Sequence, residues 1–216
     1  MSTAAGPSVS VRRRRATEAK RERLMEAAAL LFARQGFAKT SVEEVASAAS
    51  VSKGLVYVHF ESKEALLAAV LERAVAGWTA ATRDGAAAGA PSPAGVIAGG
   101  VRASVDYLTE NPILMEALSQ DLEPALLTGG LMAKRDLVGR YIDTTRIAVE
   151  HGVSTGEFRR GIDAAVVAEV IWLIHDGLVR QLTRSKRARS RAEIDQLVES
   201  AVDLFTAGLL AQPRQA

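Results

Sequence analysis

The sequence predicts an all-α protein in which a small N-terminal domain of three helices precedes a larger helical domain. Apolar residues recur at helical spacing along most of the chain, and no segment shows the strict alternation of a half-buried strand. Thr40 and Ser190 each stand three residues before a Glu, as at many helix starts, and stretches rich in Gly and Pro separate the periodic segments. A length of 216 residues with 48% hydrophobic residues suffices for one large or two small domains.

Composition excludes several classes of protein. The chain has no Cys, so disulfides and thiolate chemistry are excluded and a reducing, cytoplasmic setting is expected. No run of 18 apolar residues occurs, so no membrane contact is expected, and no apolar stretch follows Arg12–Arg15 as in a signal peptide. Residues 1–63 hold 11 Lys and Arg against 6 Asp and Glu, whereas the rest holds 16 against 19. This asymmetry favours a polyanionic partner for the N-terminal part.

The chain is organised around the segment from Thr40 to Phe60. Thr40, with Glu43 three residues later, has the form of a capping box and predicts the start of a short helix. Ser52 is a second candidate cap, for a helix from Lys53 to about residue 59. Two short helices joined by about four residues form a helix-turn-helix, whose second helix can enter the major groove of DNA.

The helices on either side complete the first domain. One is predicted from about Thr17 to Gln35, and the next starts at Ser62 and continues to about Ala81. Residues 1–17 are small, polar and basic, so they are expected to be disordered, either as a solvated tail or as an arm that reaches DNA. The predicted boundaries are therefore 1–17 for the arm, 18–64 for the helix-turn-helix domain and 65–216 for the second domain.

An ordered run of motifs over residues 20–70 resembles a known family. The run consists of RLMEAA at 23–28, LF at 31–32, GF at 36–37, Thr40, VA at 45–46, ASVSKG at 49–54, Tyr57, Phe60 and SKEAL at 62–66. It strongly resembles the amino-terminal domain of TetR-family transcriptional regulators. Two positions depart from the family pattern: Ser50 stands where Gly is usual, and His59 where an aromatic residue, often Tyr, is usual.

Several side chains near the second helix are predicted to contact DNA. No Arg, Asn or Gln occurs between Thr40 and Phe60, so direct readout would rest on Lys53 at guanine and on apolar contacts with thymine methyl groups. Phosphate contacts would position the domain without reading the sequence, although burial of Tyr57 and a free surface Lys63 are the alternatives. The predicted DNA-binding residues are Thr40, Ser52, Lys53, Gly54, Leu55, Tyr57, His59 and Lys63.

The second domain is predicted to dimerise through its last two helices. After a loop at 82–93, helices are expected at about 93–111, 113–119, 131–151, 164–184 and 190–210. The last two are apolar on more than one face, so a second subunit would cover them in a four-helix interface about a two-fold axis. The predicted interface residues are Ile171, Ile174, Leu178, Leu197, Val198, Ala201 and Phe205. The basic segment 184–191 is either a solvated loop or a second DNA contact.

The resemblance also implies a small-molecule pocket in the second domain. The candidate ligand-binding residues are Trp78, Tyr107, Met115, Met132, Tyr141, Trp172 and His175, and ordinary core is the alternative for each. The three His residues lack metal-ligand spacing and no nucleophile or phosphate-binding motif occurs, so no metal, cofactor or enzymatic activity is expected.

The expected function is that of a ligand-responsive, sequence-specific DNA-binding regulator, a repressor that an unknown small molecule releases from a two-fold operator. The alternative is a DNA-binding regulator that answers to a protein partner and has no effector pocket.

Overall fold

A computed structural model describes residues 9–118, 127–184 and 189–210. Within these ranges the chain is helical, and the one β-type contact is an isolated bridge between Phe158 and Leu210. The predicted all-α class is confirmed. The helices are α1 (Val9–Gln35), α2 (Val42–Ala48), α3 (Lys53–His59), α4 (Lys63–Ala88), α5 (Pro93–Glu110), α6 (Pro112–Leu118), α7 (Leu127–Thr155), α8 (Ala164–Arg184) and α9 (Arg191–Leu209).

The chain divides into two compact units within α4. The N-terminal unit comprises Met1–Arg73 and the C-terminal unit comprises Ala74–Ala216. The division falls nine residues later than the boundary expected at residue 64, because the first turns of α4 pack into the core of the N-terminal unit. The buried residues of that core include Leu24, Met25, Ala28, Phe32, Val45, Val56, Phe60, Leu66, Leu67 and Val70.

The first helix begins earlier than the sequence suggested. It starts at Val9, so residues 9–17 are helical and the expectation of disorder is wrong for them. Arg and Ala are good helix formers, and a row of like charges weakens a helix without breaking it. Arg14 and Arg15 are exposed on this part of α1. Residues 1–8 of the predicted arm lie outside the described residues.

The cap of α2 lies one residue later than predicted. Ser41 accepts a hydrogen bond from the Glu44 backbone N–H, and the Glu44 carboxylate accepts one from the Ser41 backbone N–H, which completes a capping box. The sequence TSVEE contains two overlapping patterns of this form, and only the second is used. Thr40 is instead buried, with its hydroxyl donating to the Gly36 carbonyl at 2.9 Å.

The turn between α2 and α3 has the predicted form. Ser50 has a φ of 54°, in the left-handed region that Gly adopts more readily, at a cost of roughly 1 kcal/mol. Ser52 caps α3 by accepting a hydrogen bond from the Leu55 backbone N–H, and α3 spans the predicted residues. The same holds for Ser62, whose hydroxyl accepts a hydrogen bond from Ala65 N–H at the start of α4.

Two glycine-containing segments that suggested a loop and a helix end lie within helices. Helix α4 continues to Ala88, and α5 packs so closely on it that a Cβ on Gly99 would lie 2.2 Å from the Gly85 carbonyl oxygen. The expected loop at 82–93 is therefore reduced to residues 89–92. Helix α7 passes through Gly152, where a Cβ would lie 2.2 Å from the Phe158 ring, and ends before Gly156, which has a φ of 81°.

The helices of the C-terminal unit surround one apolar core. The predicted starts of α5 at Ser92-Pro93, of α8 at Ala164 and of α9 at the Ser190–Glu193 capping box are confirmed. The buried core residues include Trp78, Ile97, Val101, Val105, Leu108, Leu114, Met115, Leu137, Tyr141, Val149, Phe158, Ile171, Val179, Val198, Val202, Phe205 and Leu209.

One described helix, α4, is long and apolar enough to cross a membrane by length and composition alone. Core helices pass the same test, and α4 carries Glu72, Arg73, Arg83 and Asp84 along its length. This observation is weak evidence for a membrane span.

Candidate DNA-binding surface and ligand site

One face of helix α3 is exposed to solvent. Lys53, Gly54, Tyr57 and Val58 are exposed, at spacings of three to four residues that place them on one face. Val56, on the opposite side, is buried in the core of the N-terminal unit. The exposed fractions are 49% for Tyr57 and 75% for Val58, so these neighbouring side chains together form an exposed patch on α3. Leu55 is half-buried and borders this face.

The only cation on this face of α3 is engaged in an ion pair. The Lys53 ammonium contacts the Glu43 carboxylate of α2, and both side chains are more than half exposed. The hydrogen bond with Lys53 lowers the pKa of Glu43, and the same bond raises the pKa of Lys53. Solvent screens such a pair, so it can open at little cost when a competing anion approaches.

Lys63 does not point freely into solvent. Its ammonium donates hydrogen bonds to the carbonyl oxygens of Phe37 at 2.9 Å and Thr40 at 3.0 Å, and it lies 4.2 Å from the centre of the Phe37 ring. These contacts join the start of α4 to the connection between α1 and α2. They account for a cation in the first turn of a helix, where positive charge is otherwise unfavourable. One N–H remains for a phosphate.

Two other predicted DNA contacts are restricted by burial. Thr40 is 1% exposed and its hydroxyl is used within the unit, so the prediction that it contacts DNA is wrong. His59 is half-buried, and its Nε2 atom is buried without a hydrogen-bond partner among the described residues. The ring can therefore offer only Nδ1 to a phosphate. The Ser52 hydroxyl oxygen accepts the capping hydrogen bond from the Leu55 backbone N–H at the start of α3.

The predicted dimer residues separate into two groups. Ile171, Val198 and Phe205 are buried within the core of their own C-terminal unit, so the prediction that they form the interface is wrong. Ile174, Leu178, Leu197 and Ala201 are half-buried and lie at the edge of that core.

An apolar stripe on α8 and α9 lies largely in solvent. On α8 it consists of the exposed residues Val166, Val170, Leu173 and Gly177, and on α9 of the exposed Leu204 and Gly208 together with the half-buried Leu197 and Ala201. Both sets follow the helical spacing of three and four residues, and Leu173 and Leu204 are 66% and 72% exposed. The residues of this stripe are apolar in the sequence, but each of these helices has apolar residues on two faces. The sequence alone did not show which face packs into the core of its own unit and which remains exposed.

Four predicted ligand residues meet in one cluster of rings in the C-terminal unit. Tyr141 stacks on Trp78 with ring centres 5.9 Å apart, and it contacts Trp172 at 5.3 Å and His175 at 5.2 Å. Trp172 and His175 also stack, at 5.3 Å. We call Trp78, Tyr141, Trp172 and His175 the ring cluster. Trp172 is its half-buried, accessible edge.

A hydrogen-bonded relay crosses the ring cluster. The Trp78 indole N–H donates to the Ser104 hydroxyl oxygen at 2.6 Å, and this oxygen lies 2.7 Å from His175 Nε2. Ser104 and His175 are both buried, and no hydrogen-bond partner of His175 Nδ1 is found among the described residues. Burial lowers the pKa of His175 to about 4, so the ring is neutral at pH 7. Burial also raises the pKa of Tyr141.

The remaining ligand candidates are more dispersed. Met115 is buried in the same apolar core, and Tyr107 is half-buried with its hydroxyl against Gly77 of α4. The Met132 side chain lies outside the described residues. Sequence reasoning missed Ser104, whose only signal was a polar residue on the buried face of α5 beside Val101 and Val105. Among the described residues, no group of three or more His, Asp or Glu side chains could hold a metal ion.

Comparisons with known proteins agree with the helix-turn-helix. Residues 24–70 match the sequence model of bacterial regulatory proteins of the tetR family. The uncharacterised HTH-type transcriptional regulator YerO of Bacillus subtilis is 49% identical over 53 residues, which are 24% of this chain and 18% of YerO. The repressor KstR2 of Rhodococcus jostii is 40% identical over 52 residues, 24% of this chain and 26% of that protein. These matches span about a fifth to a quarter of each relative.

Solved structures match over most of the chain. The TetR-family regulator PfmR of Thermus thermophilus is 26% identical with a TM-score of 0.66, over 87% of this chain and 99% of PfmR. The fatty acid degradation regulator FadR of Bacillus halodurans is 19% identical with a TM-score of 0.72, over 96% and 98%. This chain shares a helix-turn-helix unit followed by a helical unit with these regulators. Its residues 24–70 form a domain of the kind found in bacterial regulatory proteins of the tetR family.

Proposed function

We propose that the protein is a DNA-binding repressor that acts in the cytoplasm as a homodimer and answers to a small-molecule effector. The observation that carries this proposal is the exposed face of α3. Its side chains Lys53, Tyr57 and Val58 stand out from a helix whose other side is fixed in a core. A short, firmly anchored helix with an exposed mixed face suits the major groove.

The composition of that face determines how DNA is read. Lys53 supplies one contact to a guanine or a phosphate, after exchanging its Glu43 partner for the DNA anion. Val58 and Tyr57 offer apolar contact to thymine methyl groups. With few bidentate donors, most of the affinity comes from phosphate contacts, and binding therefore depends steeply on salt.

The homodimer is supported by the exposed stripes on α8 and α9. Leu173 and Leu204 are too large and too exposed for an isolated surface, and their helices offer Gly177 and Gly208 for close approach of a second copy. Two copies related by a two-fold axis present two α3 helices. They require two DNA half-sites about 34–36 Å apart.

An effector site is supported by the ring cluster and by similar proteins. A structure of AibR with isovaleryl coenzyme A and operator DNA is 20% identical to this chain, with a TM-score of 0.65. The C-terminal unit of the present chain has aromatic rings in its interior and a buried polar atom, His175 Nδ1, for which the described residues supply no hydrogen-bond partner. Helix α4 belongs to both units and provides the continuous chain through which an effector would act on DNA binding. Control by a protein partner is the alternative.

The test is a mobility shift of DNA from upstream of the protein's own gene. The wild type is expected to bind this fragment in preference to unrelated DNA, and the Lys53→Ala variant should bind less tightly, with a salt slope lower by roughly one unit. Arg83→Ala is the matched control, because it removes an exposed, ion-paired cation from the C-terminal unit. Equal loss in both variants would show that α3 does not hold the DNA.

A further inference from the structure

The ring cluster contains a hydrogen-bond relay that ends on His175, whose Nδ1 atom has no partner within the described ranges. Trp78 N–H can only donate, and it occupies the Ser104 oxygen at 2.6 Å. The Ser104 hydroxyl retains one proton of its own. Among the described residues, His175 Nε2 at 2.7 Å is the one acceptor recorded for this proton.

The direction of the relay sets the tautomer of His175. With Nε2 as the acceptor of the Ser104 proton, this nitrogen carries no proton of its own. A neutral imidazole has a single proton, which must then reside on Nδ1. Nδ1–H is therefore a buried donor without an acceptor among the described residues. Burying an unpaired donor is costly, and few native proteins retain one without a reason.

We propose that the ring cluster binds an apolar ligand through a neutral carbonyl-type oxygen, which accepts a hydrogen bond from His175 Nδ1–H. The inference names the chemistry of the effector and rests on the proposed role of the C-terminal unit as an effector-binding domain. Tyr141 and Trp172 flank the imidazole at 5.2 and 5.3 Å and supply flat apolar surface beside the donor. Trp172 is half-buried, so solvent reaches the ring cluster at this side chain.

The charges around the ring cluster favour a neutral acceptor over a carboxylate. No Lys or Arg takes part in the ring contacts or hydrogen bonds described for these four side chains. The Asp176 carboxylate is the charge that acts on the pKa of His175 among the described residues, and it pairs with Arg180 at 2.6 Å. Within the described part of the chain, a buried carboxylate would face a neutral donor and no cation that contacts the ring cluster, which is unfavourable. Ketones, esters and thioesters satisfy the site without this cost.

The first test reads the tautomer of the wild-type protein directly. Long-range proton–nitrogen correlation spectra distinguish protonated from unprotonated ring nitrogens, and the His175→Gln variant assigns the signal among the three histidines. The expected result is a neutral ring with its proton on Nδ1. A proton on Nε2 would overturn the proposal, since Nδ1 would then be an acceptor.

The second test uses three probes of nearly equal shape: acetylcyclohexane, ethylcyclohexane and cyclohexanecarboxylate. Trp78 and Trp172 are the only tryptophans of the chain, so intrinsic fluorescence reports on the ring cluster alone. The ratio of the affinities for the ketone and the hydrocarbon should be about tenfold greater in the wild type than in His175→Gln. This variant places its side-chain amide at the position of Nε2 and removes the Nδ1 donor. His175→Asn keeps an amide N–H near Nδ1 and should retain the preference. The carboxylate should bind most weakly.

Equal preferences in wild type and His175→Gln, or tightest binding of the carboxylate, would overturn the proposal. The mobility shift is run in parallel on the same wild-type preparation. If the wild type binds its DNA in the mobility shift but prefers the ketone no more than His175→Gln does, only this inference is refuted. Conversely, a wild-type preference for the ketone in a chain that binds no DNA supports the inference and refutes the proposed function.

Discussion

Replacing Leu173 by Arg should separate the proposed dimer into folded monomers. The Leu173 side chain is 66% exposed in the isolated chain. Complete burial of a Leu side chain stabilises by about 1.5–3 kcal/mol, so covering the exposed part contributes about 1–2 kcal/mol per copy and about 2–4 kcal/mol per two-fold dimer. Desolvating an unpaired guanidinium adds several kcal/mol more. The dimer dissociation constant should therefore rise more than about a hundredfold.

The assay is sedimentation equilibrium over a range of protein concentrations, with circular dichroism to confirm folding. Ile147→Arg is the matched control, because Ile147 is also an exposed apolar residue, at 58%, and lies on α7 outside the proposed interface. It should remain dimeric. In contrast, Ile171→Arg should fail to fold, since Ile171 is 1% exposed in the core of its own chain. A Leu173→Arg protein that dimerises as tightly as the wild type would refute the assignment of the interface to this stripe.

Three further predictions concern stability. Lys63→Met should destabilise the N-terminal unit by about 2–3 kcal/mol in urea unfolding, because two charge-assisted hydrogen bonds are lost. The control Lys39→Met, at an exposed position, should change stability little. Equal effects of the two substitutions would show that the hydrogen bonds of Lys63 do not stabilise the unit. Ser50→Gly should stabilise by up to about 1 kcal/mol, and a loss of stability would show that the φ of 54° is not strained. The pKa of His175 is about 4 in the folded chain and near 6.5 when the chain is unfolded, so between these values only the unfolded state binds the proton. The free energy of unfolding should therefore fall by roughly 3 kcal/mol as the pH drops from 6.5 to 4. The His175→Gln variant should lack this component, and the same pH dependence in both proteins would contradict the burial of a neutral ring.

The sequence predicted the helix-turn-helix well because its signals are local. The caps at Ser52, Ser62 and Ser190 each depend on a side chain and a backbone N–H three residues apart, and all three are present. The prediction of the α2 cap was wrong because the local signal was ambiguous: Thr40 and Ser41 both precede a Glu by three residues. Which pattern forms is decided by the burial of Thr40, which depends on the whole unit.

Features that depend on distant parts of the chain could not be predicted. Gly85 suggested a loop and Gly99 had no assigned role. Their role is to let α4 and α5 approach closely, and this contact joins two residues fourteen positions apart in sequence. Ile171 and Leu173 are equally apolar, and only the folded chain shows that the first is covered and the second is exposed. Ser104 became part of the candidate ligand site only when α4, α5 and α8 brought Trp78 and His175 to its hydroxyl.

The most direct test of the central claim is a footprint of the wild-type protein on DNA from upstream of its own gene. A dimer that inserts two α3 helices should protect two related half-sites whose centres lie about one helical turn, 34–36 Å, apart. The Tyr57→Ala variant, which removes an exposed side chain from α3, should weaken this protection without shifting it. Uniform binding along the fragment, or a footprint that Tyr57→Ala leaves unchanged in strength, would contradict the account.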